Sequence, residues 1–560
     1  MKSGRLIIRD LALALCLSQT LQIQARADLQ DEHTPTALTA QGPVAGVLED
    51  GLELYKGIPY ALPPIGGRRW KAPEPPARWQ GLRDASTFGP SCVQPPLRRD
   101  SIYSDEPSSM SEDCLTLNIW TLEEAANLPV IVWIHGGALQ RGNSASPLYG
   151  GQNFAHRGVV FVSINYRLGV LGWLAHPALS DESPEQVSGN YGLLDQVQAL
   201  TWIQENIAAF GGNPDDVTIM GESAGALSIA YLLASPRARG LFHKAIAESP
   251  NLRSFPLLEH SAYGLPSAQE SGVALAAHVG ATNLSALRAM DPAELTQAAV
   301  AARFWPQGTI DGKVLPEQLI DIFDAGQQAH VPLLAGFNSG EVRSQRVLLP
   351  AAPASAALYE QEIRSRYRDL APAFLAVYPS TDIPGSMLAT LRDAIYGWAA
   401  ERMVRRQTEV GQPAFLYVFD HCYPAAADRD LCGFHASELP FVFGHVGRGA
   451  RLPPNWPRPD GEEDRSLSDA MIGYWVGFVK TGVPAQDGQP VWRAYSEGEA
   501  YMKFADDPVP GQDPVPGMFE LQEEVVARRQ HAGQPWFINV GVAAPAIPDA
   551  LPTNAHRDEP

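Results

Sequence analysis

The chain contains several short runs of apolar residues, each bounded by polar or turn-forming residues. Pro129–Ile134 and Val159–Ile164 are almost continuously apolar, which is typical of parallel strands covered on both faces. The same criteria predict further strands at Val217–Met220, Lys244–Glu248, Val331–Phe337 and Ala414–Asp420. A sheet built from these runs would lie inside the protein, because so few of its residues are polar.

A second pattern separates the strands. Between Gly192 and Gly211 the apolar residues recur every three or four positions, which predicts a helix with one buried face that ends at Gly211-Gly212. The strand Val217–Met220 follows directly. Repetition of strand, helix and strand predicts an α/β fold with a mostly parallel central sheet flanked by helices. Residues 251–410 are predicted to be helices and loops inserted around that sheet.

The composition is that of a large globular protein. The 560 residues are 45% hydrophobic and 19% charged, and 49 glycines and 48 prolines indicate many turns and loops. This composition excludes collagen-like, coiled-coil and fully disordered chains. The net charge of −20 would repel phosphate backbones, so nucleic acid is excluded as a partner.

Residues 1–27 have the features of a secretory signal peptide. Three basic residues, the last of them Arg9, precede the apolar run Leu11–Leu17, and Ala25-Arg26-Ala27 is a cleavage site of the A-x-A type. The apolar run is shorter than the roughly 20 residues of a membrane span, so an uncleaved anchor is the weaker alternative, as is lipid attachment at Cys16. The mature protein is predicted to be secreted or periplasmic, with no stable membrane anchor.

Cysteine usage agrees with export. Removal of Cys16 with the signal peptide would leave Cys92, Cys114, Cys422 and Cys432. Four cysteines in an oxidising compartment favour disulfides, with three possible pairings; buried free thiols are the alternative. No spacing among the cysteine and histidine residues is typical of a zinc site, so no metal ion is predicted.

The chemistry of the chain is concentrated in the pentapeptide Gly221-Glu222-Ser223-Ala224-Gly225. It has the form G-x-S-x-G and lies between a predicted strand and a predicted helix, which is the context of a nucleophile elbow. The tight turn would expose the serine hydroxyl, and the helix N-terminus behind it favours developing negative charge. Ser223 is therefore the predicted nucleophile.

A candidate oxyanion hole lies upstream of this serine. His135-Gly136-Gly137-Ala138 follows the strand Pro129–Ile134 and matches the H-G-G-x loop of esterases, whose small residues let backbone N–H groups face a carbonyl oxygen. The predicted donors are the N–H groups of Gly137, Ala138 and Ala224. His135 precedes the loop and is predicted to be structural.

Two longer stretches make the sequence recognisable. Residues 210–225, which include the pentapeptide, closely resemble the nucleophile signature of the type-B carboxylesterase family, which includes the cholinesterases; Ser111-Glu-Asp-Cys-Leu-Thr-Leu-Asn118 resembles the family's second signature. Shorter matches are Gly57–Ala61, Asn165–Gly169, Ile310–Gly312 and Glu438–Phe443. The resemblance covers roughly residues 40–500 and is broadly to the secreted bacterial type. It implies an α/β-hydrolase fold with large helical and loop insertions around an active-site gorge.

The resemblance also implies a Ser-Glu-His triad. In Gly336-Phe-Asn-Ser-Gly-Glu341-Val342 the acid of the family matches Glu341, although Gly340 and Val342 depart from the usual Asp and Gly. The family's histidine lies just before the E-L-P-x-V-F stretch, and His435 matches it. Glu222 resembles an accessory carboxylate that supports the histidine; a solvent-facing side chain is the alternative.

The function implied by the resemblance is hydrolysis of small-molecule carboxylic esters through an acyl-Ser223 intermediate, with no cofactor. A non-catalytic adhesion protein of the same family is the rival, and amide, carbamate or thioester substrates are alternatives within the enzyme class. Many relatives have a third glycine at the position of Ala138. If that position requires positive φ, alanine would be strained there, and we expect altered tolerance of acyl groups rather than lost activity.

Three further expectations concern the disulfides, the gorge and the extent of the domain. The family resemblance implies that Cys92 pairs with Cys114, which leaves Cys422 to pair with Cys432. Phe304 and Trp305 could line the gorge, although plain core residues are the commoner case. Residues 28–540 are predicted to form a single catalytic domain, whereas the repeats of Asp-Pro-Val-Pro-Gly in residues 507–517 and the Pro- and Ala-rich tail 541–560 are predicted to be surface loop or disordered tail.

Overall fold

A computed structural model describes residues 34–550. The predicted signal peptide, residues 1–27, and residues 551–560 of the predicted tail lie outside this range. The fold is built around one sheet of eleven strands. In chain order they are β1 Val47–Glu49, β2 Leu52–Pro59, β3 Thr116–Leu122, β4 Leu128–Ile134, β5 Val160–Ile164, β6 Gly212–Glu222, β7 Lys244–Glu248, β8 Leu333–Asn338, β9 Ala414–Phe419, β10 Ala500–Phe504 and β11 Pro508–Gln512.

The strands lie in the order β11-β10-β9-β8-β7-β6-β4-β5-β3-β2-β1. The seven strands from β10 to β5 in this order are mutually parallel, and antiparallel strands complete both edges. The predicted α/β fold with a mostly parallel sheet is confirmed. Two small sheets lie apart from it and consist of Thr36–Thr39, Gly42–Ala45 and Arg83–Asp84, and of Ser91–Cys92 and Met110–Ser111.

Helices cover both faces of the sheet, so the alternating side chains of β4 enter different cores. Val130, Val132 and Ile134 pack with helices α1 Tyr191–Asn206, α2 Ala224–Ala234 and α3 Trp398–Glu409. Ile131 and Trp133 pack on the other face with α4 Glu462–Thr481. The other α-helices are Gln152–Ala155, Gly169–Trp173, Pro177–Glu182, Ala268–His278, Leu284–Ala289, Pro292–Ala301, Leu319–Asp324, Ala356–Tyr367, Ala371–Val377, Ile383–Arg392, Pro424–Ala427, Leu439–Val442 and Met518–His531.

The structure differs from the sequence prediction at two places near the C-terminus. The proline-containing repeat predicted as loop forms the edge strand β11, in which Pro508 and Pro510 pair with Phe504 and Met502 of β10. An edge strand needs only half of its N–H groups for the sheet, so it tolerates proline. Residues 541–550 of the predicted tail are packed, because Ile547 is fully buried and its N–H donates to the carbonyl oxygen of Arg366 at 2.7 Å.

Within residues 34–550 no helix is both long enough and apolar enough to cross a membrane. Cys92 is bonded to Cys114, and Cys422 to Cys432. The pairing implied by the family resemblance is therefore the one present, and the alternative of buried free thiols is wrong.

Candidate active site

The predicted nucleophile lies at the sharp turn between β6 and α2. Ser223 has φ 56° and ψ −116°, a left-handed conformation that a side chain adopts only under constraint. Its N–H donates to the carbonyl oxygen of Glu248 at 2.8 Å, which holds the turn against β7. Gly225 lets α2 approach β4, because a Cβ atom there would lie 2.0 Å from the carbonyl oxygen of Ile134.

The structure brings Ser223, His435 and Glu341 into one hydrogen-bonded line. His435 Nε2 lies 2.8 Å from Ser223 Oγ, and His435 Nδ1 lies 2.5 Å from Glu341 Oε2. Glu341 is fully buried in the turn that follows β8. Its other oxygen, Oε1, accepts from Ser249 Oγ at 2.6 Å and from the Asn338 N–H at 2.9 Å. These two donors fix the carboxylate, so the departures from the family motif beside Glu341 do not displace it.

Two carboxylates act on the charge of His435. Burial alone lowers its pKa, but attraction to Glu222 and Glu341 outweighs burial and raises the pKa above the ordinary value of 6.5. Glu222 is 4% exposed, and its Oε1 lies 3.2 Å from His435 Nε2. The alternative of a solvent-facing Glu222 is therefore wrong. Burial in turn raises the pKa of Glu222, so the two groups titrate together.

The loop after β4 presents backbone N–H groups beside the serine. The N–H groups of Gly137, Ala138 and Ala224 have no hydrogen-bond partner in the described part of the chain, so they are able to donate to a group bound beside Ser223. Gly137 has φ 103°, and a Cβ atom there would lie 2.3 Å from the carbonyl oxygen of Arg141. Ala138 has φ 58°, so the condition for a strained alanine is met.

His135 has the environment of a structural residue. Its ring is stacked on Tyr166 with centroids 4.6 Å apart, and burial lowers its pKa to about 4. The imidazole is therefore neutral near pH 7, and its Nδ1 lies 2.9 Å from the carbonyl oxygen of Gly136 in the loop.

Several residues at the site were missed by sequence reasoning. Ser249 fixes Glu341, and the ring of Tyr396 stacks on His435 at 4.9 Å between centroids. The Tyr103 hydroxyl donates to the carbonyl oxygen of His435 at 2.8 Å. Gln94 binds both the N–H and the carbonyl oxygen of Gly142, at 2.9 and 3.0 Å, and also the carbonyl oxygen of Cys92 at 3.1 Å.

Both disulfides lie close to these residues in the chain. The Cys92–Cys114 bond anchors the segment from which Gln94 reaches the loop after β4. The Cys422–Cys432 bond closes a segment with a sequence separation of 10 and ends three residues before His435. The first bond therefore constrains a segment that contacts the loop after β4, and the second constrains the segment that leads to His435.

The serine opens into a cavity of about 270 Å³. Besides Ser223, Glu222 and His435, its lining residues include Leu97, Asp105, Arg141, Tyr149, Leu439 and Trp456. Phe304 and Trp305 do not line it; they border a separate groove of about 810 Å³ together with Trp173 and His278. The possibility that these two aromatic residues line the serine cavity is wrong. Phe304 is partly buried and packs against a hydrophobic cluster, which is close to the commoner case of a core residue, whereas Trp305 is 53% exposed and is not core.

The described residues contain no group of three or more histidine, cysteine, aspartate or glutamate side chains placed to hold a metal ion. The side chains of Ser223, His435 and Glu341 are instead paired with one another. Such an arrangement can transfer a proton from a hydroxyl to an imidazole and can stabilise an oxyanion beside it.

Comparison with known proteins places the chain in a family. A sequence model of the carboxylesterase family matches residues 33–516. The chain is 36% identical to the fumonisin B1 esterase of Sphingopyxis macrogoltabida over 83% of this chain and 85% of that protein. It is also 36% identical to the para-nitrobenzyl esterase of Bacillus subtilis (strain 168), over 82% and 92%.

Solved structures agree. A structure of PNB esterase superposes with a TM-score of 0.75 at 33% identity and covers 87% of this chain and 99% of that one. A carboxylesterase from Geobacillus stearothermophilus gives a TM-score of 0.71 at 31% identity, over 87% and 99%. The expected α/β-hydrolase fold is confirmed. With its sheet, its sequence signatures and its relatives in agreement, the chain belongs to the carboxylesterase family and is a carboxylic ester hydrolase.

Proposed function

We propose that Ser223, His435 and Glu341 form the catalytic triad of this esterase. The observation that carries the proposal is the continuous line from Ser223 Oγ through the imidazole to Glu341, with distances of 2.8 and 2.5 Å. Glu341 accepts the Nδ1–H of His435 and leaves Nε2 free to accept the serine proton. Glu222 is proposed as an accessory carboxylate that stabilises the imidazolium.

The first half-reaction forms an acyl enzyme. Ser223 Oγ attacks the ester carbonyl carbon while His435 Nε2 takes the hydroxyl proton. The carbonyl oxygen becomes an oxyanion, which accepts from the N–H groups of Gly137, Ala138 and Ala224; each such donor contributes roughly 3 kcal/mol to the transition state. The C–O bond to the alcohol then breaks, and the imidazolium returns the proton to the leaving alkoxide.

The second half-reaction restores the serine. A water molecule gives a proton to His435 Nε2 and attacks the acyl carbon, and the same N–H groups stabilise the second oxyanion. Collapse breaks the bond to Ser223 Oγ, which recovers its proton from the imidazolium. The carboxylic acid leaves. His435 gives up every proton that it accepts, so the two half-reactions need no cofactor.

A p-nitrophenyl ester and a labelled organophosphate test this assignment. Ser223→Ala should lower turnover roughly 10⁴- to 10⁶-fold and should abolish the adduct, which peptide mapping should place on Ser223 in the wild type. Ser146→Ala is a matched control, because Ser146 lines the same cavity; the adduct should form normally. An adduct on another serine, or turnover near wild type in Ser223→Ala, would overturn the assignment. An adhesion protein would show no turnover at all.

We further propose that the chain is exported, with cleavage after Ala27, and that one catalytic domain follows. Two disulfides support export, since such bonds persist in oxidising compartments. Packing of Ile547 indicates that the domain extends beyond residue 540. The exported protein should begin at Asp28 in N-terminal sequencing, and an intact residue 1 in exported material would contradict the proposal.

A further inference from the structure

Among the described residues, Arg141 is the one lysine or arginine that lines the cavity containing Ser223. Arg141 lies four residues after Gly137, whose carbonyl oxygen accepts the Arg141 N–H at 3.0 Å. The short turn that shapes the proposed oxyanion hole therefore also fixes the position of the Arg141 backbone. Its side chain is half-buried and forms part of the cavity wall.

The guanidinium of Arg141 is held only by neutral acceptors. Its Nε donates to the carbonyl oxygen of Pro95 at 3.1 Å, Nη2 to that of Pro96 at 3.4 Å, and Nη1 to Gln140 Oε1 at 3.5 Å. Among residues 34–550 no carboxylate lies within ion-pair distance of it. Burial lowers the pKa of Arg141, and no neighbouring anion compensates. An arginine has five N–H donors in a planar fork, so donors remain for a ligand.

The cavity wall also includes a carboxylate, Asp105. Unlike Arg141, Asp105 has no hydrogen-bond or ion-pair partner in the part of the chain that the structure describes. Its position is therefore not fixed by neighbours, whereas the arginine is oriented in advance. A pre-oriented charge binds a ligand with less loss of conformational freedom.

We propose that Arg141 binds an anionic group of the substrate, so that the preferred esters carry a free carboxylate. The proposal rests on ester hydrolysis at Ser223 and names the substrate class for that site. Arginine suits this role because its fork matches the two oxygens of a carboxylate. The net charge of −20 disfavours anions at long range, so recognition depends on this local cation rather than on the charge of the whole chain.

Two matched ester pairs test the proposal and distinguish where the carboxylate lies. For the acyl side, p-nitrophenyl hydrogen adipate is compared with its neutral methyl ester. For the alcohol side, the acetyl ester of 4-hydroxybenzoate is compared with that of 4-hydroxybenzamide. We expect wild-type kcat/KM to favour the anionic member of at least one pair. Arg141→Gln should lower that value about tenfold or more, mainly through KM, and should change the neutral esters less than about threefold.

Two further variants complete the test. Arg141→Lys should keep part of the preference, because it keeps the charge but not the fork. Asp105→Asn should not reduce the preference. Equal losses on anionic and neutral esters in Arg141→Gln would assign the arginine a structural role and overturn the proposal, as would a wild type that does not prefer the anionic ester. These outcomes can be told apart from a failure of the proposed function. If Ser223 were not the nucleophile, the wild type would not hydrolyse even the neutral esters through Ser223.

Discussion

At the scale of single residues, the protonation state of His435 has the largest effect on the proposed reaction. Its Nε2 lies 2.8 Å from Ser223 Oγ and 3.2 Å from Glu222 Oε1, so a protonated imidazole can donate to Glu222. In the proposed mechanism the neutral imidazole is the form that accepts the serine proton. Activity should therefore be lost as the pH falls through the pKa of His435, which the two carboxylates raise.

The first prediction removes one of these carboxylates. Glu222→Gln takes away a negative charge beside the imidazole, so the pKa of His435 should fall and the acidic limb of kcat/KM should move to lower pH by about 1 unit. The pH profile for a neutral p-nitrophenyl ester measures this. Asp105→Asn is the control, because Asp105 lines the same cavity without an ion pair to His435. An acidic limb that stays in place, or moves upward, in Glu222→Gln would refute the argument.

Sequence reasoning reached the residues that occupy local motifs and missed those that meet them from elsewhere. Ser223 was predictable because the five residues around it form the turn by themselves, and Glu341 and His435 were found by resemblance. Tyr396, Ser249 and Arg141 belong to no comparable motif. Tyr396 comes from the helical turn before α3, Ser249 directly follows β7, and Arg141 lies in the loop after β4. These elements are far apart in the sequence, and only the packing of the sheet brings them together.

At the scale of elements, one irregular helix turn stands out. Asp393–Gly397 forms a single π-helical turn between Ile383–Arg392 and α3. Such turns insert one extra residue and are frequent at functional sites. Here the turn carries Tyr396, whose ring is nearly parallel to that of His435, with an interplanar angle of 28°. Its hydroxyl bonds with Gln345, which also lines the cavity.

The second prediction tests Tyr396 as a positioning residue. Tyr396→Leu removes the ring that fixes the plane of the imidazole and should lower kcat about tenfold, because small misplacements of reacting groups are costly; KM should change little. Tyr396→Phe keeps the ring and should stay close to wild type. Separate kcat and KM values on one ester measure this. A Phe variant as impaired as the Leu variant would assign the effect to the hydroxyl.

The third prediction concerns the Cys422–Cys432 bond. Replacing both cysteines by serine should destabilise the protein by roughly 2–3 kcal/mol through the unfolded chain, and it should also lower turnover, because the bond ends three residues before His435. Urea unfolding and kcat on the same samples measure the two effects. Reduced stability with normal kcat would leave the bond purely structural.

Element prediction succeeded where burial produced a pattern and failed where it did not. The strand β7, Lys244–Glu248, has the predicted boundaries because both of its faces are covered. The edge strand β11 was missed, since its prolines are typical of loops and only one neighbour pairs with it. Edge pairing is decided by what lies beside the strand, and its own residues carry little sign of it.

At the scale of the whole molecule, buried acids link stability to pH. Glu248 and Glu438 are both fully buried, and burial raises the pKa of each of them. Each group therefore keeps its proton in the folded state at a pH where the unfolded chain has lost it. Stability must fall as the pH rises through that window.

The fourth prediction isolates Glu248. Its Oε1 accepts from Trp475 Nε1 at 2.7 Å, and burial raises its pKa to about 8. Glu248→Gln keeps the acceptor and cannot ionise. Its free energy of unfolding should match that of the wild type near pH 5 and exceed it at pH 9 by on the order of a few kcal/mol. Urea unfolding at pH 5, 7 and 9 measures this; parallel pH dependences would contradict it.

The bond between Cys92 and Cys114 has a consequence for when the enzyme becomes active. Gln94, two residues beyond this bridge, ties the backbone of Gly142 to the carbonyl oxygen of Cys92. The loop proposed to stabilise the oxyanion is thereby connected through Gln94 to Cys92, whose disulfide would stay reduced in the cytoplasm. The turn that carries Ser223 contains no cysteine and should form before oxidation. We expect the loop after β4, which lies beside Ser223, to become rigid only when the disulfide has formed. With export as proposed above, we expect the enzyme to hydrolyse few esters in the cytoplasm and to reach full activity only after it has entered an oxidising compartment.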